Sequence, residues 1–403
     1  MANNFSASFI EVWSKTQQEV FYKQNVARMI ADLNFQSDLK KGDVLHRPYR
    51  SSNTPQIYTR GTDINLDDKT DTDETLTVQE EWATGFYVDD FDQIQDNYDI
   101  AAGYGKDDGE FLSNTIDTMV LGEALNAFST VDGADVGGTA GDPIAVDTSN
   151  IMTVFAAART KIQKQNVPFM DAKAVISPDI EQRVGEYMAG RDTGLGDAAV
   201  RGGAGFLQRF LGFDVFVSNQ LPCTAVLSLA TQPTNTDTVV IAGITFTFVS
   251  SIGSTAGNVL IGADADAARL NLTTLINTPG TTTSTGVAFT GENLRKLRLY
   301  ASAVNDATAN TLTLTYKGNG VIAVSETLTA TTDSWGTVVQ YPLMVAGRAP
   351  VCVIQREPRI SVKDHPFRHG KNILNGTLFG KKTFRDNAFR MVKVAVDTTG
   401  FSV

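Results

Sequence analysis

A chain of 403 residues with 42% hydrophobic and 20% charged side chains reads as globular rather than disordered, with length for two or three domains of roughly 100–200 residues each. A formal net charge of −11 argues against a surface that grips nucleic acid throughout, because phosphates repel it; only a local basic patch could do so. The two cysteines, Cys223 and Cys352, make neither a disulfide framework nor a zinc cluster and fit a reducing compartment. The opening Met-Ala-Asn-Asn-Phe-Ser lacks a basic region ahead of an apolar core, and no run of about 18 apolar residues occurs, so the expectation is a cytosolic product with no leader and no membrane span.

In chain order, Phe9, Trp13, Val20, Ala27 and Ile30 recur at helical spacing and predict a helix over 6–33, either core-facing or a terminal arm on a neighbouring subunit. Lys41-Gly42-Asp43 marks a turn. Short β-like stretches follow at 44–49, 56–59, 75–78 and 86–88, and Thr75-Leu76-Thr77-Val78-Gln79 alternates as a two-faced strand. With the polar stretch 63–74 between them, residues 40–96 predict an extended β-hairpin loop with too few apolar residues for its own core. Residues 97–130 predict a long helix with a broad apolar stripe, although Gly103, Gly105 and Gly109 disfavour its first turns. A Gly- and Asp-rich loop at 131–147 precedes α/β structure: a helix from Ser149, taken as N-cap, to about Gln165; a strand Ala174-Val175-Ile176; a helix opened by Pro178 and closed by Gly190; a glycine-rich loop at 202–205; and a strand at 213–218.

Residues 224–340 change composition sharply toward Thr, Ala, Asn and Gly. Strands are predicted at 239–241, 244–249, 297–301, 311–316 and 321–328, and a helix at 263–277. The pattern is a self-contained β-rich insertion whose ends should be adjacent, which would bring Cys223 and Cys352 near each other. Strands resume after Tyr341, the clearest at 351–354 and 389–396.

Enzyme signatures do not assemble. His365 and His369 have the spacing of metal ligands on a helix, but Pro366 and Gly370 make a helix there improbable. The loop at 202–205 lacks the strand and acidic residue of a dinucleotide fingerprint and the Gly-Lys-Ser/Thr end of a phosphate loop. No nucleophile elbow is present. The strongest feature is charge segregation. In one segment, from Asp63 to Asp99, the acids Asp63, Asp67, Asp68, Asp71, Asp73, Glu74, Glu80, Glu81, Asp89, Asp90, Asp92, Asp96 and Asp99 face only Lys69. Arg356, Arg359, Lys363, Arg368, Lys371, Lys381, Lys382, Arg385, Arg390 and Lys393 face Glu357, Asp364 and Asp386 in another. These are either two solvated faces or complementary patches, the acidic hairpin of one subunit (Asp67, Asp68, Asp71, Asp73, Glu74) lying across the basic segment of another (Lys381, Lys382, Arg385).

Phe9 to Trp13 followed by Lys41-Gly42-Asp43, Phe86-Tyr87-Val88-Asp89-Asp90-Phe91 followed by Gln95 and Asp99, Val175-Ile176-Ser177-Pro178, and Gly212 to Pro222 ending in Ser218-Asn219-Gln220-Leu221-Pro222 resemble, in this order, the major capsid proteins of tailed bacteriophages with the Hong Kong 97 fold. The resemblance covers about 1–223 and 341–403. It implies an α+β fold with an N-terminal arm at 1–39, the extended hairpin loop at 40–96, a peripheral domain with a spine helix at 97–147, an axial domain at 148–223 that returns at 341–365, and peripheral C-terminal strands at 366–403, the inserted β-rich domain being 224–340. It further implies a virion shell protein made in a bacterial cytoplasm, assembling with itself as hexamers and pentamers, with portal and scaffolding proteins as partners, double-stranded DNA on the inner face and no membrane. No enzymatic role, cofactor or metal is implied, and the Lys–Asn cross-link of some members matches no pair here. An encapsulin-like compartment shell and a phage decoration protein stand as alternatives.

Overall fold

The computed structural model describes residues 25–50, 54–64, 66, 68–91, 100–190 and 209–399. Most of the expected N-terminal helix, Asp67, Gln95, Asp99 and the loop at 202–205 lie outside them. The order of elements is α1 (Ala27–Ile30), β1 (Val44–Arg50), β2 (Asp71–Asp89), α2 (Ile100–Leu121), β3 (Ser129–Val131), α3 (Ile151–Lys164), β4 (Ala172–Ile176), α4 (Pro178–Ala189), β5 (Arg209–Phe210) and β6 (Phe213–Val217). The β-rich segment follows with β7 (Cys223–Ser228), β8 (Thr238–Ile241), β9 (Ile244–Val249), β10 (Asn258–Leu260), α5 (Ala265–Asn277), α6 (Gly291–Tyr300), β11 (Ala301–Asp306), β12 (Thr311–Tyr316), β13 (Val324–Glu326) and β14 (Val339–Gln340). The chain ends with β15 (Leu343–Ala346), β16 (Val351–Asp364), β17 (Gly370–Lys382), α7 (Arg385–Ala388), β18 (Met391–Val394) and β19 (Val396–Asp397).

Three bodies result. In the first, the mixed sheet β3-β18-β15-β4-β6-β5 is covered by α3 and α4. Each helix buries one stripe at three- and four-residue spacing, Ile151, Val154, Phe155, Ala158 and Ile162 on α3 and Ile180, Val184 and Met188 on α4. Phe155 meets Phe210 and Phe213 edge-on. Strand β4 is buried along its whole length, as a central strand between two covered faces requires. The turn into α3 is closed by Asp147 rather than by Ser149. The Asp147 carboxylate accepts from the Ser149 hydroxyl at 2.6 Å and from the backbone N–H groups of Ser149 and Asn150. The Ser149 hydroxyl bond is the main cause of an Asp147 acidity stronger than usual.

The second body is the segment 224–340. Two sheets, β11-β12-β7-β14-β19 and β10-β9-β8-β13, enclose with α5 a core that includes Leu227, Phe246, Phe248, Leu272, Ile276, Leu312 and Leu314. Its two ends are paired strands, with Thr224 opposite Val339. Cys223 faces Gln340 and Tyr316 and packs in this core, whereas Cys352 belongs to another cluster with Met119, Ile354 and Phe379. The two thiols thus pack in different clusters, twelve residues of chain carrying Cys352 past the point where the ends close. The expected strand at 297–301 is also corrected, since Gly291–Tyr300 is helix α6 and the strand starts at Ala301. Of 321–328, only Val324–Glu326 is strand.

The third body is a long sheet in the order β1-β2-β17-β16, crossed by α2. The two short stretches expected at 75–78 and 86–88 are parts of the single 19-residue strand β2, and 56–59 is not a strand. Strands β16 and β17, divided between two domains in the sequence reading, form one hairpin. Strand β18, read there with the peripheral strands, joins the sheet of the first body. Two of the three glycines that disfavoured the start of α2 have a packing role: a Cβ at Gly105 would sit 3.2 Å from Ile360, and one at Gly109 3.3 Å from Asn375. Their absence lets the helix backbone lie close on β16 and β17.

Candidate functional site

The long sheet projects an arm. Strands β1 and β2 pair from Val44 opposite Thr77 to Arg50 opposite Asp71, and residues 51–70 connect them. At its root the arm is packed: Leu76 and Val78 are buried with Leu39, Val351, Val353 and Phe384, while Thr75, Thr77 and Gln79 point to solvent. Further out, nothing among the described residues covers it. Ile57 is 98% exposed and Leu66 88%, with Tyr58 and Ile64 also exposed. Four large apolar side chains left in water on one short segment are unusual for a surface that stays free.

The root is clamped by charge. Arg47 donates to both carboxylate oxygens of Asp386, at 2.8 and 2.6 Å, in the forked geometry that guanidinium and carboxylate favour. The guanidinium lies 5.0 Å from the Phe384 ring centre and 5.8 Å from that of Phe35. The bonds to Asp386 raise the Arg47 pKa above its ordinary value. Burial pushes the Asp386 carboxyl up, but the Arg47 bonds and charge outweigh it, and the net shift is downward.

The acids and bases singled out in the sequence are distributed as follows. Glu74 accepts from the backbone N–H of Arg385 at 3.3 Å, and the Arg385 guanidinium stacks on Tyr49. Asp73 meets His46 at 2.6 Å. Lys381 reaches Glu80 at 3.7 Å and the Met119 sulfur at 3.2 Å. Lys381 thus meets an acid of its own chain, while Arg385 does so only through its backbone N–H. Lys382 is exposed, and so are Asp68 and Asp71; among the described residues none of the three has an ion-pair partner. His365 and His369 sit at the turn between β16 and β17, against the rings of Tyr87 and Phe91.

Two groups escaped the sequence reading. Lys317 lies over Gly122, where a Cβ would come within 2.8 Å of its side chain. Burial first, and then the charge of Lys381, lower its pKa, with Glu123 and Glu80 opposing. Helix α6 carries Leu299 and Tyr300 into the cluster of Met119, Val120, Cys352, Ile354 and Phe379, which joins the β-rich segment to α2. The signal for α6 was Leu294 and Leu297, three residues apart behind Thr290-Gly291-Glu292. Beside this junction, β2, α2 and α6 enclose a cleft of about 1110 Å³.

No protein-family model matches the sequence, and no curated protein is similar to it. Solved structures match over nearly the whole chain. A chain from Mycobacterium phage Che8 superposes with a TM-score of 0.58 at 15% identity, covering 98% of both chains. A chain of the cyanophage P-SCSP1u capsid gives 0.55 at 10% identity, covering 98% of this chain and 95% of that one. A chain of the acid-stable capsid of Helicobacter pylori bacteriophage KHP30 gives 0.53 at 9% identity, covering 98% of both. The fold is that of phage capsid chains.

Proposed function

We propose that this chain is the major capsid protein of a tailed bacteriophage, built on the Hong Kong 97 plan and assembling through hexamers and pentamers into an icosahedral shell. The observation that carries the proposal is the match in fold, from end to end, to chains of phage capsids. The exposed apolar arm supports it, because a segment without its own core needs a second copy to cover it. The arm's acidic residues are the charged part of that contact: Asp68 and Asp71 are exposed, and Asp67, Asp73 and Glu74 belong to the same group. On this reading Lys382 and Arg385 are the exposed candidate bases, Lys381 being half-buried beside Glu80. The role is structural and not catalytic. Portal and scaffolding proteins and packaged double-stranded DNA are its partners, and the host cytoplasm is where it is made. Among the described residues no helix is long and apolar enough to cross a membrane.

Negative-stain microscopy and sedimentation of the purified protein test this. Closed shells or capsomers are expected, and a stable monomer across micromolar concentrations overturns it. Nucleic acid extracted from particles made in infected cells separates a virion shell from a compartment that holds protein cargo.

A further inference from the structure

The outer half of the long sheet has two faces of different character. Toward α2, strand β2 turns Trp82, packed near Met119, and Phe86, edge-on to Tyr104. The alternate residues Glu81, Ala83 and Gly85 are exposed on the other side. Residues directly opposite one another on paired strands share a face, so the register carries this open face across the sheet. Gly85 stands opposite Leu374 and Ala83 opposite Gly376 on β17. Beyond them, on the edge strand β16, Lys363 is opposite Asn372, Arg359 opposite Gly376 and Arg356 opposite Leu378. The floor is low, because Leu374 lies across Gly85, where a Cβ would come within 2.8 Å of it.

Arg356, Arg359 and Lys363 thus form a row along one border of an open, shallow face. All three are exposed, and none makes an ion pair among the described residues. Glu357, the acid between them in sequence, is engaged by Arg28. Arg368, 6.0 Å from the Tyr87 ring centre, continues the row at the hairpin turn. The other side of the same body has the opposite sign. Helix α2 carries Asp107, Asp108 and Glu110 against one base, Lys106, and the insertion packs on that side through Leu299 and Tyr300.

In a chain of net charge −11, this row is the local basic patch that the composition leaves room for. A wall that encloses DNA turns one of its two faces to a polyanion. Phosphates are repelled by the α2 side and attracted to the β16 side. The row spans at most about 23 Å from Arg356 to Lys363 along the strand. Long basic side chains standing on a flat sheet suit contact with a phosphate backbone, which needs no entry into a groove and carries no base sequence.

We propose that the open face of the β16–β17 hairpin lines the interior of the shell and contacts the backbone of the packaged double-stranded DNA through Arg356, Arg359 and Lys363. Helix α2 and the insertion then lie on the outer side of the wall. The inference rests on the reading of the chain as a virion shell protein and adds the surface that meets the genome.

The test uses DNA-filled particles carrying one introduced thiol, either Ser361→Cys, between Arg359 and Lys363, or Val304→Cys, on an exposed strand of the insertion. Cys223 and Cys352 are buried, so reagents report on the new thiol. A small photoactivatable aryl azide should join residue 361 to DNA and leave residue 304 without a DNA adduct. A maleimide on a polymer too large to enter the shell should label residue 304 and spare residue 361. The opposite pattern, or a protein rather than DNA captured at residue 361, overturns this inference and leaves the shell reading intact. A second arm measures binding of a duplex oligonucleotide to capsomers as salt rises. Three phosphate contacts predict a slope of log K against log salt of about −2.7. Replacing the three bases together, Arg356→Glu, Arg359→Glu and Lys363→Glu, should abolish it while circular dichroism and shell formation stay unchanged. An unchanged slope in that variant also overturns the inference, and the thiol arm decides if the variant fails to fold. Failure of the unaltered chain to form DNA-filled shells overturns both readings.

Discussion

Leu76 and Thr75 are neighbours on β2 that face opposite ways, and the contrast between them measures how firmly the arm is rooted. Leu76 is fully buried among Leu39, Val78, Val351, Val353 and Phe384, whereas Thr75 is exposed. Leu76→Ala removes three carbons, which at about 0.8 kcal/mol per buried CH₂ loses ~2.4 kcal/mol. The cavity left in a pocket fixed on both sides by strands brings the total to about 3 kcal/mol. Thr75→Ala removes no buried surface and should change stability by no more than about 0.5 kcal/mol. A chain of several bodies need not unfold in one step, so the suitable assay is local: amide hydrogen exchange of unassembled subunits, read separately on β1, β2 and β17 and on the β-rich segment. For Leu76→Ala, protection at the root of the arm should fall roughly a hundredfold, the equivalent of about 3 kcal/mol, with the strands of 224–340 unchanged. Equal effects at the two positions, or loss of protection spread over the whole chain, would refute the assignment of Leu76 to a local arm-root core.

Three further outcomes are expected. Because the net effect of Arg47 is to hold the Asp386 carboxyl below its ordinary range, the clamp stabilises the arm root above about pH 4, the unfolded carboxylate value, and loses this as pH falls through the depressed value. Melts in acid should show that dependence in the unaltered chain and not in Arg47→Ala. Residues 223–340, expressed alone, should give dispersed amide resonances and a cooperative melt, since their core is internal, and Leu272→Ala should lower the midpoint; a disordered spectrum counts against this. Burial raises the Cys223 thiol to about 11 and the Cys352 thiol to about 12, so neither should react with a maleimide at neutral pH in the native subunit, and both should react in denaturant. Rapid native labelling would contradict the packing described.

Elements whose environment is one-sided were readable from the residues alone. The alternation from Thr75 to Gln79 announced a strand with one face covered, and α3 and α4 each carried a single apolar stripe and were expected close to where they lie. The polar loop with too little apolar content for a core was legible as well, and among the described residues it leaves Ile57 and Leu66 almost fully exposed.

What tertiary structure decided lies where one element serves two neighbours. Leu297, Leu299 and Ala301 alternate with Arg298 and Tyr300 and imitate a strand, yet 291–300 is helical. Leu297 enters the core of the β-rich segment, and Leu299 enters the cluster against α2. A helix buried on two sides carries no single stripe, so its periodicity is hidden. In the same way Gly105 and Gly109 count against a helix by intrinsic preference, and close packing on β16 and β17 overrides them. The charge segregation was plain in the composition, but which charges meet depends on register. Strand pairing brings Lys381 to Glu80 within one chain, whereas Glu74 receives only the backbone N–H of Arg385, whose guanidinium lies over Tyr49.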